Sequence, residues 1–258
     1  MEEDDGRARR PNRYRIGLLT LAIILWEGLS GRILDPFFFS SPRLIGKALL
    51  ALIESGRLGE HLSVTLNETL QGYAYGVLAG VAAGLLLGLN RFVATVMGPY
   101  ILALYSIPKI TLAPLFVLWF GIGVASKVFM AFTLVFFLVF YNTYAGVQSA
   151  SPDLIHSIRV MGASRRQLLF KVVLPSSYPF IFVGLRTALP YALIGAVVGE
   201  FIIANRGLGY FISNAAGSFD TYGVFAGILL LTIISVALDW GLKWVERRAL
   251  RWRPTGSV

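Results

Sequence analysis

The chain has 258 residues, 56% of them hydrophobic and only 14% charged, with a mean hydropathy of +0.69. An ordinary soluble domain carries roughly 25% charged residues, so this composition excludes a soluble enzyme and points to a protein embedded in a bilayer. The lack of cysteine excludes disulfide scaffolds, thiolate metal sites and cysteine nucleophiles together. The net charge of +9 takes its meaning from where the basic residues fall.

A spanning helix needs about 20 mostly apolar residues. On that measure the sequence predicts an all-α membrane protein with six spans, at approximately 16–34, 66–89, 93–120, 128–149, 178–203 and 222–244. Residues 1–15 form a basic tail, 16–249 the transmembrane domain and 250–258 a second tail. The first span is the weakest, because its apolar run from Ile16 is interrupted by Glu27. An Arg-rich start followed by Gly28-Leu29-Ser30 has the outline of a cleaved signal peptide. Cleavage would leave five spans and place the Arg-rich C-terminus outside, so the segment is read as retained. Glu2, Glu3, Asp4 and Asp5 speak against an organelle transit peptide, and a bacterial inner membrane is the simplest home.

The second span carries Gly72, Gly76, Gly80, Gly84 and Gly88, a glycine at every fourth position. Small residues let helix backbones approach closely where lipid supplies no hydrophobic drive for association. A four-residue period overshoots the helical turn, so the line drifts around the helix and predicts contact with more than one neighbour. The third segment contains Pro99, Pro108 and Pro114 and is expected to kink or break. Broken backbone at membrane depth is tolerated where it is buried in protein or lines a cavity. That places Ser106-Ile107-Pro108-Lys109 near a pathway. The stretch from Gly121 to Val128 superficially resembles a phosphate-binding loop. It has Ser126 in place of the second glycine and Val128 in place of the magnesium-binding hydroxyl, and is rejected.

Between the fourth and fifth spans lies a polar loop, SASPDLIHSIRVMGASRRQLLFKVVLPSSYPF, from Ser149 to Phe180. Pro152 opens a short helix with Asp153 in its first turn, and Gly162 permits the turn that ends it. Ser164 caps a second helix, expected from Arg165 to about Val173 and closed by Pro175. Two such helices with an apolar stripe and a basic face make a projecting knob that needs a partner; an amphipathic loop lying on lipid headgroups is the alternative. In the fifth span Gly195 and Gly199 repeat the small-residue device.

Ionisable groups at membrane depth are expensive and therefore functional candidates. Lys109 and Glu200 are predicted to pair with each other or to flank a solute route. Arg186 either snorkels to the interface or makes the inner pathway electropositive. Glu27, Glu68 and Asp239, near span ends, are expected to be solvated. Lys and Arg concentrate before residue 16, at Arg91, in the 150–176 loop and from Lys243 onward, against Arg32, Arg43, Lys47, Arg57, Lys127 and Arg206 on the other side. By the positive-inside rule both termini are cytoplasmic. The basic excess is thus a topology signal that needs no nucleic acid.

The loop resembles the EAA motif of permease subunits of binding-protein-dependent ABC importers, whose pattern is E-A-A-x3-G-x9-I-x-L-P. Gly162, Leu174 and Pro175 match at the required spacing, with Val172 in place of isoleucine and His156-Ser157-Ile158 in place of Glu-Ala-Ala. SIPKITLAPLFVLWFGIG (106–123), GLRTALPYALIGAVVGEF (184–201), NRGLGYFI (205–212) and SFDTYGVFAGI (218–228) look like the nitrate/sulfonate/taurine-type branch. The resemblance implies a type I importer-like permease that pairs as a homodimer in the inner membrane. Its cytoplasmic coupling loop, with Asp153, His156, Ser157, Arg159, Gly162, Leu174 and Pro175, would dock on two cytoplasmic ATPase subunits. A periplasmic or lipid-anchored binding protein would deliver the solute. The chain itself would then be no enzyme and bind no cofactor, ATP and magnesium being used by the partner ATPase. Lys109 and Arg186 favour a small anion such as a sulfonate, taurine, nitrate or bicarbonate. A thiamine-precursor-like heterocycle, or a stand-alone ion-coupled secondary transporter, are the alternatives.

Overall fold

Residues 3–202 and 204–249 are described by the structure, a computed structural model. Among them the chain is helical and no strand forms; Ser30 and Leu34 make one isolated bridge. The helices are α1 (Glu3–Leu29), α2 (Pro36–Phe39), α3 (Pro42–Glu54), α4 (Arg57–Leu89), α5 (Arg91–Ser106), α6 (Ala113–Phe120), α7 (Val124–Gln148), α8 (Pro152–Val160), α9 (Arg165–Leu168), α10 (Leu174–Ile202), α11 (Leu208–Gly217) and α12 (Thr221–Ala249). The predicted tail at 250–258 lies outside the described residues.

Among the described residues, four helical stretches are long and apolar enough to cross a membrane: Arg57–Leu89, Val124–Gln148, Arg165–Ile202 and Thr221–Arg248. Phe92–Ser106 and Lys109–Phe120, bent by 80° at the break, are apolar enough together to make either a fifth, broken span or a re-entrant loop. The bend falls at Ile107-Pro108, where the proline predicted it: Pro108 offers no N–H to the turn before it. The first predicted span begins far earlier, at Glu3, and ends at Leu29, where Gly31 turns the chain at φ 79°. It is not among the four, since too few apolar residues separate Arg15 from Glu27.

The described chain divides into two compact units. One comprises the chain up to Glu60 with Phe211–Leu230. In it Asp35 and Ser41 cap α2 and α3 through side-chain oxygens. Ser30 Oγ donates to Ser40 O at 2.9 Å, and Thr221 Oγ1 donates to the Phe37 carbonyl. These bonds satisfy carbonyls of a connection too short to satisfy itself.

The other unit comprises His61–Tyr210 with the segment from Leu231 onward. At its centre is α7, whose Ala131, Val135 and Val139 are fully buried. The five glycines of the α4 stripe, Gly72 to Gly88, face this helix. A Cβ added at Gly76 would come within 2.7 Å of Val135 Cβ, and one at Gly84 within 2.7 Å of Thr143 Cβ. Gly80 likewise meets Val139, and Gly88 meets Val147. Both sets advance together by four residues, so α4 and α7 run parallel. The expected drift onto a second neighbour does not occur at the glycines. A contact period longer than 3.6 residues is the right-handed kind, in which both helices wind with the line and the stripe stays on one partner.

Across α7, the helix α10 runs antiparallel: Gly184 packs on Asn142, Gly195 on Ala131 and Gly199 on Lys127. Val135 and Val139 of α7 and Ala188 and Ala192 of α10 form a buried cluster, with Tyr73, Val77 and Val81 of α4 packed against it. On a further side Ala113 and Phe116 of α6 pack on Met130.

The predicted end of the second loop helix at Pro175 is corrected. The helix begun at Arg165 continues to Ile202 through a widened π turn at Leu169–Val173, where Leu174 N–H reaches back to Leu169 O. Proline breaks an α-helix by clashing with the carbonyl four residues earlier and removing a donor. A π turn immediately before Pro175 widens the ladder at that point, which accommodates the ring without ending the helix.

Candidate functional site

At one end of the second unit lies the polar loop that carries α8. Ser151 Oγ accepts the Leu154 amide at 3.4 Å and caps α8. The helix ends in a Schellman motif: Gly162 N–H bonds Arg159 O at 3.0 Å, and Ala163 N–H bonds Ile158 O at 3.2 Å, with Gly162 at φ 83°. Ser164 and Gln167 then form a reciprocal capping box, Ser164 N–H to Gln167 Oε1 at 2.8 Å and Gln167 N–H to Ser164 Oγ at 3.3 Å. The knob is therefore fixed by side-chain caps at the start of α8 and of the helix at Arg165, and by backbone bonds at the end of α8. Asp153, His156, Ser157 and Arg159 are exposed on α8. So are two large apolar residues at its C-terminus, Val160 at 75% and Met161 at 84%. Leu174 and Pro175 lie inside the continuous helix.

One face of α8 (Ile155, His156, Arg159) looks into a cavity of about 950 Å³. Ser157 falls on the opposite face, by the 100° step between successive helical residues.

The remaining candidates are brought to different places, with Glu200 at the other end of the long helix. Glu200 is 1% exposed. Its Oε1 accepts the Thr65 hydroxyl at 2.7 Å and its Oε2 accepts the Gly209 amide at 2.5 Å. Thr65 Oγ1 in turn accepts Leu208 N–H at 2.8 Å, and His61 Nδ1 accepts Gly207 N–H at 3.1 Å. The first backbone donors of α11, which no helix can satisfy internally, are thus met by α4 and α10. Gly207 and Gly209 are small for the same reason: a Cβ on either would fall on Glu200, and Gly207 sits at φ 111°.

Glu68 was expected to be solvated and is instead fully buried; its Oε1 accepts from Lys127 Nζ at 2.9 Å. Being near a span end did not expose it, because α4 begins at Arg57 and carries Glu68 three turns inside the helix. Burial of two charges demands such a pairing.

Lys109 and Glu200 do not pair. Lys109 Nζ bonds Leu104 O at 3.3 Å and the Tyr105 carbonyl, capping the last turn of α5, and lies 4.5 Å from the Phe137 ring centre. Arg186 Nε reaches Asp239 Oδ1 at 3.2 Å, and Lys243 bonds the other oxygen of Asp239. Asp239 is thus held between two cations rather than simply solvated.

His61 and Thr65 were not singled out from the sequence, and Glu68 and Lys127 were not expected to be buried together. The signal was present: His61, Thr65, Glu68 and Thr69 precede Gly72 on the same helical line as the glycine stripe. A polar start to a packing stripe marks a buried polar contact.

Comparison with known proteins adds to this geometry. The profile of the family described as "Binding-protein-dependent transport system inner membrane component" matches residues 76–251. The formylaminopyrimidine transport permease protein ThiX of Halalkalibacterium halodurans is 37% identical over 90% of this chain and 93% of its own. The riboflavin transport system permease protein RibX of Chloroflexus aurantiacus is 36% identical over 91% and 88%. A putative aliphatic sulfonates transport permease protein, SsuC of Bacillus subtilis, is 31% identical over 95% and 91%. Among solved structures, an inward-facing MetNI methionine ABC transporter aligns with a TM-score of 0.62 at 20% identity, covering 74% of this chain and 93% of that one.

Proposed function

The chain belongs to the inner membrane components of binding-protein-dependent transport systems, and from that premise we propose how it moves a solute. It is a multi-pass ABC importer permease subunit. In our reading α8 is the coupling helix, seated on a cytoplasmic ATPase that supplies the energy, and two permease chains pair around one pathway. The termini are cytoplasmic and α1 completes six spans. A binding protein delivers the solute from the other side.

The observation that carries this reading is the unbroken helix from Arg165 to Ile202. At 1.5 Å per residue its 38 residues reach about 57 Å. One end adjoins α8 across the Schellman turn and capping box, and the other carries Glu200. A displacement of α8 is therefore delivered along a single continuous helix to the opposite end of the bundle. There the Glu200–Thr65 bond hands it to α4 and to the start of α11. Interdigitated glycines on α4 and α10 leave α7 little freedom to deform, so the three helices move as packed rods.

For the solute, a pyrimidine-type heterocycle is the first reading, supported by the ThiX and RibX relatives. Arg186 is matched by Asp239, which removes half of the sequence argument for an anion. A sulfonate-type anion is the second reading. It is favoured by SsuC and by Lys109, whose ammonium meets carbonyls and rings rather than a carboxylate.

The test is reconstitution in liposomes with and without an ATPase of the same transport system, using a radiolabelled aminopyrimidine and a radiolabelled alkanesulfonate with their binding proteins. Uptake of one solute that requires both ATP and the ATPase is expected. Gradient-driven uptake by the chain alone would overturn the reading in favour of a secondary transporter.

A further inference from the structure

The cavity beneath α8 has no part in the mechanism above. It lies where α4 and α7 end, where α5 starts and where the long 165–202 helix begins, so every spanning element that borders it does so at its terminus. That is the depth of lipid headgroups. Its floor is hydrocarbon: Leu89, Val147, Ala150, Leu168 and Val173, of which Val147, Ala150 and Val173 form a buried cluster. Its wall is basic: His156 and Arg159 from α8 and Arg165 from the start of the long helix. No carboxylate lines it, and among the described residues no carboxylate pairs with either arginine.

We propose that this cavity holds the phosphate of an anionic phospholipid headgroup. Two arginines lining one space without a counter-charge create a positive potential, and the planar fork of a guanidinium suits bidentate binding of a phosphate. An inorganic phosphate would answer the basic wall and leave the hydrocarbon floor wet. An amphiphile answers both, with its phosphodiester on Arg159 and Arg165 and its glycerol and first methylenes on Leu89 and Leu168. The volume of about 950 Å³ is ample for a headgroup. The inference rests on the membrane reading of the chain and not on its coupling to an ATPase. Its consequence is that a lipid would sit between α8 and the bundle, where it would set the angle of the lever.

The experiment is native mass spectrometry of the purified full-length chain in mild detergent with equal phosphatidylglycerol and phosphatidylcholine. A preference for phosphatidylglycerol on the order of tenfold is expected. It falls to near parity in the double variant Arg159→Gln, Arg165→Gln. It persists in Arg247→Gln, an exposed basic position in the last turn of α12 outside the cavity. Equal binding of the two lipids by the wild type, or a preference that survives in the double variant, would overturn the proposal. Displacement of the lipid by added inorganic phosphate would assign the site to a free ion and overturn it as well. So would a double variant that loses ATPase capture while the wild type shows no lipid preference, which would give both arginines to the protein partner. ATP-driven uptake by the wild type is read separately, so failure of the lipid site and failure of the importer reading are distinguishable.

Discussion

Thr65 donates its hydroxyl proton to Glu200 at 2.7 Å and accepts the Leu208 amide at 2.8 Å, so one buried side chain ties α4 to α10 and to the start of α11. Thr65→Val keeps the shape and removes both bonds, leaving the Leu208 donor unsatisfied. A cost of about 1–3 kcal/mol is expected. Thermal unfolding in detergent checks the loss, and hydrogen exchange at the Leu208 amide should accelerate. Thr65→Ser, which keeps the hydroxyl, should stay close to wild type in both.

The Glu68–Lys127 pair is buried at both members. Removing one charge strands the other, and Lys127→Met is expected to cost about 3–5 kcal/mol. Replacing both with apolar residues (Glu68→Leu with Lys127→Met) should recover most of that loss. A double-mutant cycle on unfolding free energies measures the coupling. A double variant as damaged as the single one would show that the pair has a further role.

The α4–α7 contact leaves no room for even a methyl group. A Cβ at Gly80 would lie 2.9 Å from both Phe136 O and Val139 Cβ, backbone and β-branched atoms that cannot swing aside. Gly80→Ala should therefore cost about 1–3 kcal/mol. Gly98→Ala, where nothing lies within 4 Å, should stay within about 0.5 kcal/mol of wild type. The comparison separates close packing from any general effect of adding helix propensity.

Much of this was legible beforehand. The glycine stripe, the proline break at Ile107-Pro108 and the capped knob at 151–167 are local signals: a period, a missing donor and a pair of caps. What was missed depends on partners distant in sequence. Glu68 looks like a solvated span-end residue until Lys127 is brought across from α7, and Lys109 looks like a partner for Glu200 until the bend returns it to the carbonyls of Leu104 and Tyr105. Pro175 reads as a stop because sequence rules assume an α-helical ladder. The π turn before it alters the geometry on which that rule rests.

Gly162 closes α8 in the left-handed region with open space around its Cα. The obstacle to a side chain there is conformational, worth about 1–2 kcal/mol for a residue with a Cβ. Gly162→Ala should lower ATP-driven uptake and solute-stimulated ATP hydrolysis together while leaving expression intact. Gly162→Asn, which tolerates that conformation better, should lower both less. Parallel assays of uptake and hydrolysis in one preparation check the expected order.

The central claim is that α8 is gripped by an energy-supplying protein, and cross-linking from its outer face tests that most directly. A photoreactive residue at Ser157, which points away from the cavity, should capture an ATP-hydrolysing subunit in intact membranes, with a yield that changes when nucleotide is trapped. Capture of lipid alone, at every nucleotide condition, would contradict the account.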